Sequence, residues 1–347
     1  MTGFVLPLAL AWFFIVNCVA SVGALTITGV ARSRGVAGEE WSPSALLALR
    51  LMPAAMSVFF VAALFVPAFV RLEPEGMRET LGRTGLLLAA AALAAVLRAI
   101  ARVVASVART RRVVFRWSID ATRVRLKGVH LPSYLVETEF PVMSLVGILK
   151  PRLFIARQVY QALTPSELKS AVAHELAHVR ARDNVKRLVV AMSPDLVGWS
   201  PAGRRLEASW RAAAEFAADA RAVGGNRRRA VTLASALVKV ARLIANHPRV
   251  DYACAMRGSG VGLSGSPRSD RAWRGAGGPA IQSMFHGGGP IVERVERLMR
   301  PESVRAKRHS GVRLVMLGAA VLLVALTSFN VAMLAVHSLT EILVRLP

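Results

Sequence analysis

The sequence predicts a mainly α membrane protein: four transmembrane helices, with a cytosolic α+β domain inserted between the third and the fourth. Three observations predict this. The 347-residue chain is 54% hydrophobic yet carries a formal net charge of +24. Both hold at once only if apolar and charged residues are segregated along the chain, and they are. Thirty-eight of the 45 Lys and Arg residues fall between Arg98 and Arg313, against fifteen of the 21 acidic ones. Apolar runs before residue 108 and near the C-terminus flank that basic middle, each near or above the ~20 residues that cross a bilayer. Within the middle, a set of short β-type runs precedes several strongly helical ones.

Residues 3–30 contain no charged side chain and form the first span. A cleaved signal peptide is the weaker reading, because the basic n-region is missing and the apolar run is too long. Asn17, polar but uncharged within this run, suits packing against another helix. A loop with Arg32 and Arg34 leads to a second span over 44–70, where Arg50 can snorkel from one end and Pro53 and Pro67 favour kinks. Residues 71–84 form a mixed-charge loop. The third span, 85–107, is rich in alanine and leucine, with Arg98 and Arg102 after its most apolar part.

From Arg109 the character changes. Arg109, Arg111, Arg112 and Arg116 form a basic juxtamembrane cluster, which reads as attraction to anionic membrane lipid or simply as a topology signal. Residues 122–157 read as short strands around 124–127, 134–138, 143–148 and 153–156, punctuated by Gly and Pro. A helix opens at Thr164: Thr164 is the N-cap, Pro165 the first helical residue, and Glu167 completes a Thr-x-x-Glu capping box. Residues 186–199, broken by Pro194 and Asp195, read as a half-helix leaning on the membrane or the spans.

Helices follow over 204–223, closed by Gly224 and Gly225, over 230–246 and over 291–300. Residues 255–289, rich in Gly, Ser and Arg, read as a mobile loop or lid. The fourth span is 314–336. The domain boundaries are accordingly 1–107 for three spans, 108–312 for the cytosolic domain, and 313–347 for the last span and a short extracytoplasmic tail. The positive-inside rule places the basic middle in the cytoplasm and both termini outside, in the cell's inner (plasma) membrane. The two cysteines, Cys18 in a span and Cys254 in a polar stretch, suit a reducing compartment rather than a disulfide.

The chemistry concentrates at His174, Glu175 and His178, a His-Glu-x-x-His pattern. Residues four apart share a helix face, so His174 and His178 can both reach one metal ion. Glu175 lies beside the first histidine, placed to serve as a general base. A catalytic zinc site typically has three protein ligands. Glu215 is the favoured third, with Glu207 and His286 as competitors. Asp219, one turn after Glu215, suits a carboxylate holding the far nitrogen of a liganding histidine. One catalytic Zn2+ is expected, and no organic cofactor.

Three stretches resemble a known family: FPVMSLVGILKPRLFI from Phe140, LTPSEL from Leu163, and AHELAHVRARDN from Ala173. With the Glu215 and Asp219 pair and the run from Arg294 to Leu298, they are similar to the integral-membrane metallopeptidases of the BlaR/MecR antibiotic-sensor type. A more distant likeness is to the HtpX and CAAX-prenyl endopeptidases. The resemblance implies a zincin-like fold with a small sheet and active-site helices, zinc on His174, His178 and Glu215, and Glu175 as base. Two departures stand out. Ala218 occupies a position where the sensor family usually has cysteine. No penicillin-binding sensor domain follows the last span, so β-lactam sensing is not implied.

The reading is therefore a gluzincin-type endopeptidase acting on a cytosolic or membrane protein, in signal-responsive proteolysis. Housekeeping cleavage of misfolded membrane proteins is the alternative. An extended substrate is expected along an edge strand at Met143, Ser144, Leu145 and Val146. Tyr160, His286 or an arginine are candidates to steady the oxyanion. Membrane lipid is an expected partner, and a separate sensor or regulator remains open. A non-enzymatic basic anchor for nucleic acid or anionic lipid is the reading from another class. The basic residues are dispersed and carry no nucleic-acid-binding motif, so no specific nucleic acid is expected.

Overall fold

A computed structural model describes residues 2–33, 41–72, 81–138, 141–148, 150–246, 281–283, 291–300 and 329–345. The chain divides into two compact units. One comprises Met1–Ala101, Met192–Trp210 and Arg308–Pro347; the other comprises Arg102–Ala191 and Arg211–Lys307.

The first unit is built on long apolar helices. α1 (Thr2–Ser33) packs against α2 (Pro43–Phe60). α2 continues through a π turn, Val61–Phe65, into α3 (Val66–Leu72). The widened turn sits directly ahead of Pro67, whose ring and missing N–H a regular helix could not accommodate. α4 (Arg83–Ile119) runs unbroken for 37 residues, twelve beyond the expected end of the third span. Three helices are long and apolar enough to cross a membrane: Val5–Ala31, Pro43–Leu72 and Arg83–Ile119. Their outward faces carry exposed Val19, Val70 and Leu87, as lipid-facing surfaces do. The expected fourth span lies largely outside the described residues; its described part belongs to a helix, Phe329–Arg345, that runs beyond 336.

Inside this unit, Leu8, Trp12, Phe65, Met333 and Val336 form a common core. Trp12 Nε1 donates to Thr340 Oγ1 at 3.0 Å. The polar residues of the first two spans turn inward and hold one segment. Asn17 donates to the Pro194 carbonyl (3.4 Å) and accepts from the Leu196 amide (3.3 Å). Arg50, far from snorkelling, is buried and pairs with Asp195 at 2.6 Å. Asp195 in turn caps the 3-10 turn Val197–Trp199 through the Gly198 amide. Arg98 stacks on Trp199, 4.8 Å from the ring centroid. Residues 193–199 thus lean on the spans through named polar contacts.

The second unit holds a mixed five-stranded sheet in the order β1-β2-β4-β3-β5. The strands are β1 (Thr122–Val124), β2 (Ser133–Val136), β3 (Met143–Val146), β4 (Arg152–Ala156) and β5 (Ile281–Ser283). Only β2 and β4 run parallel. The β3–β4 turn needs Gly147, whose φ of 114° is closed to other side chains and where a Cβ would meet the Lys150 carbonyl at 2.7 Å. β2, β3 and β4 overlap the runs the sequence marks, whereas β1 ends at Val124, where the expected first strand begins. β5 comes from within the stretch read as a mobile loop, and the rest of 255–289 lies outside the described residues.

β3 and β4 are apolar without alternation because both faces are covered. One face meets α5 (Arg157–Ala162), α6 (Pro165–Ala181) and α9 (Arg227–Asn246) through Met143, Leu153, Ile155, Val159, Val172, Leu233 and Leu237. On the other, Phe154 packs with Val113, Val136 and Val146, and its ring lies 5.4 Å from those of Trp117 and Tyr134. α7 (Asp183–Met192) follows α6, and α8 (Pro201–Val223) passes without a break from the first unit into the second. The last helix of this unit is α10 (Ile291–Met299), packed on α9.

Candidate metal centre

The capping box forms at the start of α6. Thr164 Oγ1 accepts from the Glu167 amide, and Glu167 Oε2 accepts from the Thr164 amide at 2.8 Å. Glu167 also binds Ser235 and Lys239 on α9, both at 2.7 Å, so the cap fastens α6 to its neighbour. The helix then carries His174 and His178 on one buried face. It ends at Arg182, whose φ of 54° turns the chain and brings Asp183 back towards His178.

His174 Nε2 and His178 Nε2 stand 3.1 Å apart. Glu215, on α8, places Oε2 3.4 Å from His174 Nε2 and Oε1 3.6 Å from His178 Nε2. All three side chains are buried, and their donor atoms lie within 4.8 Å of one another. Donors on a tetrahedral ion with bonds near 2.05 Å stand about 3.3–3.4 Å apart. The two nitrogens and the carboxylate oxygen nearest to each stand at comparable spacings, 3.1 to 3.6 Å.

The far nitrogens are also fixed. His174 Nδ1 faces Asp219 Oδ1 at 2.8 Å, and His178 Nδ1 faces Asp183 Oδ2 at 2.8 Å. A neutral imidazole with Nδ1–H donating to a carboxylate leaves the Nε2 lone pair for a cation. Arg294 of α10 completes the cluster. Its Nε and Nη2 donate to Asp219 at 2.8 and 2.7 Å, and Nη1 lies 3.3 Å from Glu215 Oε2.

Burial opposes the charged form of every one of these groups, and their neighbours overcome it. His174 would lose its proton more readily for being buried, yet Asp219 and then Glu215 hold its pKa above the ordinary value. The same holds for His178, through Glu215 and Asp183. Against burial, His178 and His174 hold Glu215 well below the carboxylate range, and Arg294 and His174 hold Asp219 below it. Four carboxylates, Glu175, Asp183, Glu215 and Asp219, face two cationic side chains, Lys186 and Arg294.

Of the residues singled out in the sequence, the structure brings together His174, His178, Glu215 and Asp219. Glu175 follows on the same helix, fully buried, close enough for its charge to help keep Arg294 protonated. Glu207, two turns before Glu215 on α8, is not in the cluster, the one such group among the described residues. His286 lies outside the described residues, and Tyr160 is partly exposed on α5. Met143, Ser144, Leu145 and Val146 make up β3, which is not an open edge: β5 pairs with it antiparallel, Ser144 opposite Ser283. Asn184 Nδ2 ties the end of β3 to the histidine helix, donating to the Gly147 carbonyl at 2.7 Å. Two members of the cluster were not assigned from sequence, Asp183 and Arg294. Asp183 had a signal in its position just past the end of the histidine helix; Arg294 had none that spacing could supply.

Residues 84–259 match the family model described as BlaR1 peptidase M56. The match takes in the sheet through β4, both histidines, Glu215 and Asp219, and covers just over half of the 347 residues. The chain therefore belongs to the BlaR1 peptidase M56 family of membrane-associated metallopeptidases.

Proposed function

We propose that this protein is a membrane-embedded zinc endopeptidase that cuts a cytosolic or membrane protein in response to a signal. The observation that carries the proposal is the convergence of His174 Nε2, His178 Nε2 and the Glu215 carboxylate: the nitrogens stand 3.1 Å apart and lie 3.4 and 3.6 Å from its two oxygens. Two imidazole nitrogens and a carboxylate converging in one buried cluster suit Zn2+, which when bound lowers the pKa of its water to about 7 and polarises a carbonyl.

The chain's own residues divide the remaining work. Asp219 and Asp183 orient the two imidazoles. Glu175, one residue after His174 and shielded from solvent, takes the proton of the attacking water and delivers it to the departing amine nitrogen. Met143–Val146 is paired on both sides, by β4 and by β5, so an extended substrate backbone would take that strand only by displacing β5. The regulated role is supported by the chain path. His178 and Glu215 are separated by 37 positions, and within them Met192–Trp210 belong to the unit that holds the first two apolar spans and the start of the third. The catalytic unit faces the cytoplasm on the strength of the basic middle of the chain.

The test compares wild type with Glu175→Gln in native membranes, reading zinc content and cleaved membrane and cytosolic proteins together. Zinc retained and cleavage lost is the expected result; full cleavage by the variant would remove Glu175 from the mechanism. A few discrete cuts in the wild type support a regulatory protease, whereas many scattered cuts support housekeeping degradation.

A further inference from the structure

An arginine in contact with the candidate metal centre arrives from outside residues 84–259. Arg294 sits on α10, a nine-residue helix, and is 2% exposed. It forks onto Asp219 through Nε and Nη2, and its third nitrogen approaches Glu215 at 3.3 Å. Nη2 also lies 3.5 Å from both ring nitrogens of His174, so the guanidinium spans the imidazole rather than meeting it end-on. The helix that carries it is pinned at its C-terminal end. Arg227 Nη1 donates to the carbonyls of Leu298 (3.2 Å) and Met299 (2.7 Å). Arg297 stacks on Phe216, next to Glu215, with 4.3 Å between guanidinium carbon and ring centroid.

We propose that Arg294 is the positioning residue of the metal centre, acting through Asp219 and Glu215. Asp219 has one hydrogen-bonding task towards His174, at Oδ1. The bidentate fork fixes the plane of that carboxylate, and with it the orientation in which His174 meets Oδ1 through Nδ1 and presents Nε2. The third nitrogen restrains the Oε2 side of Glu215 by the same rigid plane. Only a planar guanidinium can serve both carboxylates at once; a lysine ammonium on a flexible stem is a point charge with no such geometry.

This inference rests on the metal-centre reading above, and a simple charge argument opposes it. A buried cation a few ångströms from a divalent ion repels it, so an arginine present only for packing would weaken ion binding. Removing it would then tighten binding. A positioning arginine predicts the opposite sign.

The test uses the full-length protein in detergent or nanodiscs and Zn2+ alone as the probe, with dissociation constants from chelator competition. Arg294→Gln should bind Zn2+ about 10–100-fold more weakly than wild type, the range typical of lost outer-sphere support. Asp219→Asn should lose a similar factor, and the double variant should be no weaker than the weaker single one. Arg294→Lys should fall between wild type and Arg294→Gln, with an unchanged melting temperature for the metal-free protein. Unchanged or tighter binding by Arg294→Gln overturns the proposal, as do losses that multiply in the double variant. If Arg294→Gln does not fold, Arg294→Lys decides, and wild-type affinity in it overturns the proposal. Failure of wild type itself to bind Zn2+ would sink the metal-centre reading; normal wild-type binding that ignores Arg294 would sink only this inference.

Discussion

Arg50 of the second apolar helix and Asp195 form a buried ion pair, 2.6 Å from Nη1 to Oδ2, with side-chain exposures of 1% and 0%. The pair joins a span to the segment between α7 and α8. Asp195 uses its other oxygen on the Gly198 amide, and Asn17 secures both neighbours of Asp195 from α1.

Breaking one side of a buried pair costs about 3–5 kcal/mol, because the remaining charge is left without compensation. Asp195→Ala should therefore lower the melting temperature of the purified protein sharply. The double variant Arg50→Met with Asp195→Leu should be distinctly less destabilised. Equal melting temperatures for the single and double variants would show that the pair contributes through packing alone.

Asp183 makes a prediction for the metal centre that Glu207 of α8 does not share. Asp183→Ala removes the acceptor that fixes the His178 Nδ1 proton, and should weaken Zn2+ binding about 10–100-fold. Glu207→Gln, at the carboxylate outside the cluster, should leave binding at the wild-type level. Chelator competition on both variants checks the contrast.

Glu167 carries a pH dependence with a definite sign. Burial alone would raise its pKa, but Lys239, Ser235 and Thr164 hold it at about 2, against an ordinary 4.5. Its stabilisation is therefore fully present above pH 4.5 and lost as pH falls from there through about 2. The size is on the order of 2 kcal/mol, after discounting for solvent around the exposed Lys239 ammonium. Glutamine preserves a capping box, so Glu167→Gln isolates the charge. The variant should melt below wild type at neutral pH and converge with it on acidification; a gap that widens towards low pH would contradict the assignment.

Gly203 marks a close approach at the start of α8. A Cβ there would lie 1.7 Å from the Val197 carbonyl oxygen. Gly203→Ala should destabilise by about 1–3 kcal/mol, despite alanine's better helix propensity, and differential scanning measures it.

How much of this was legible in the sequence depends on how local the cause is. The capping box at Thr164 is written within four residues, and so is the one-turn spacing of His174 and His178. Glu215 and Asp219 were legible because the same one-turn rule applies to a second helix, once the metal demanded a third donor. Arg294 was not, because its role depends on α10 packing beside α9 and reaching α8, and no periodicity in 291–299 encodes that. Arg50 misled for a similar reason. A lone arginine at the end of an apolar run looks like a snorkelling side chain, and only its remote partner Asp195, 145 positions on, turns it inward. Strand β5 was hidden by composition, since a Gly- and Ser-rich stretch gives no β signal and its pairing is supplied entirely by the backbone of β3.

The interleaving of the two units limits how this protein can be cut down. Residues 102–307 include every member of the metal cluster, but trimming both ends to that range keeps 192–210 while discarding Asn17 and Arg50. The Asp195 carboxylate would then face whatever replaced its guanidinium, at the base of the helix that bears Glu215. A fragment made that way would begin with a fault at the foot of the helix that carries its candidate third ligand.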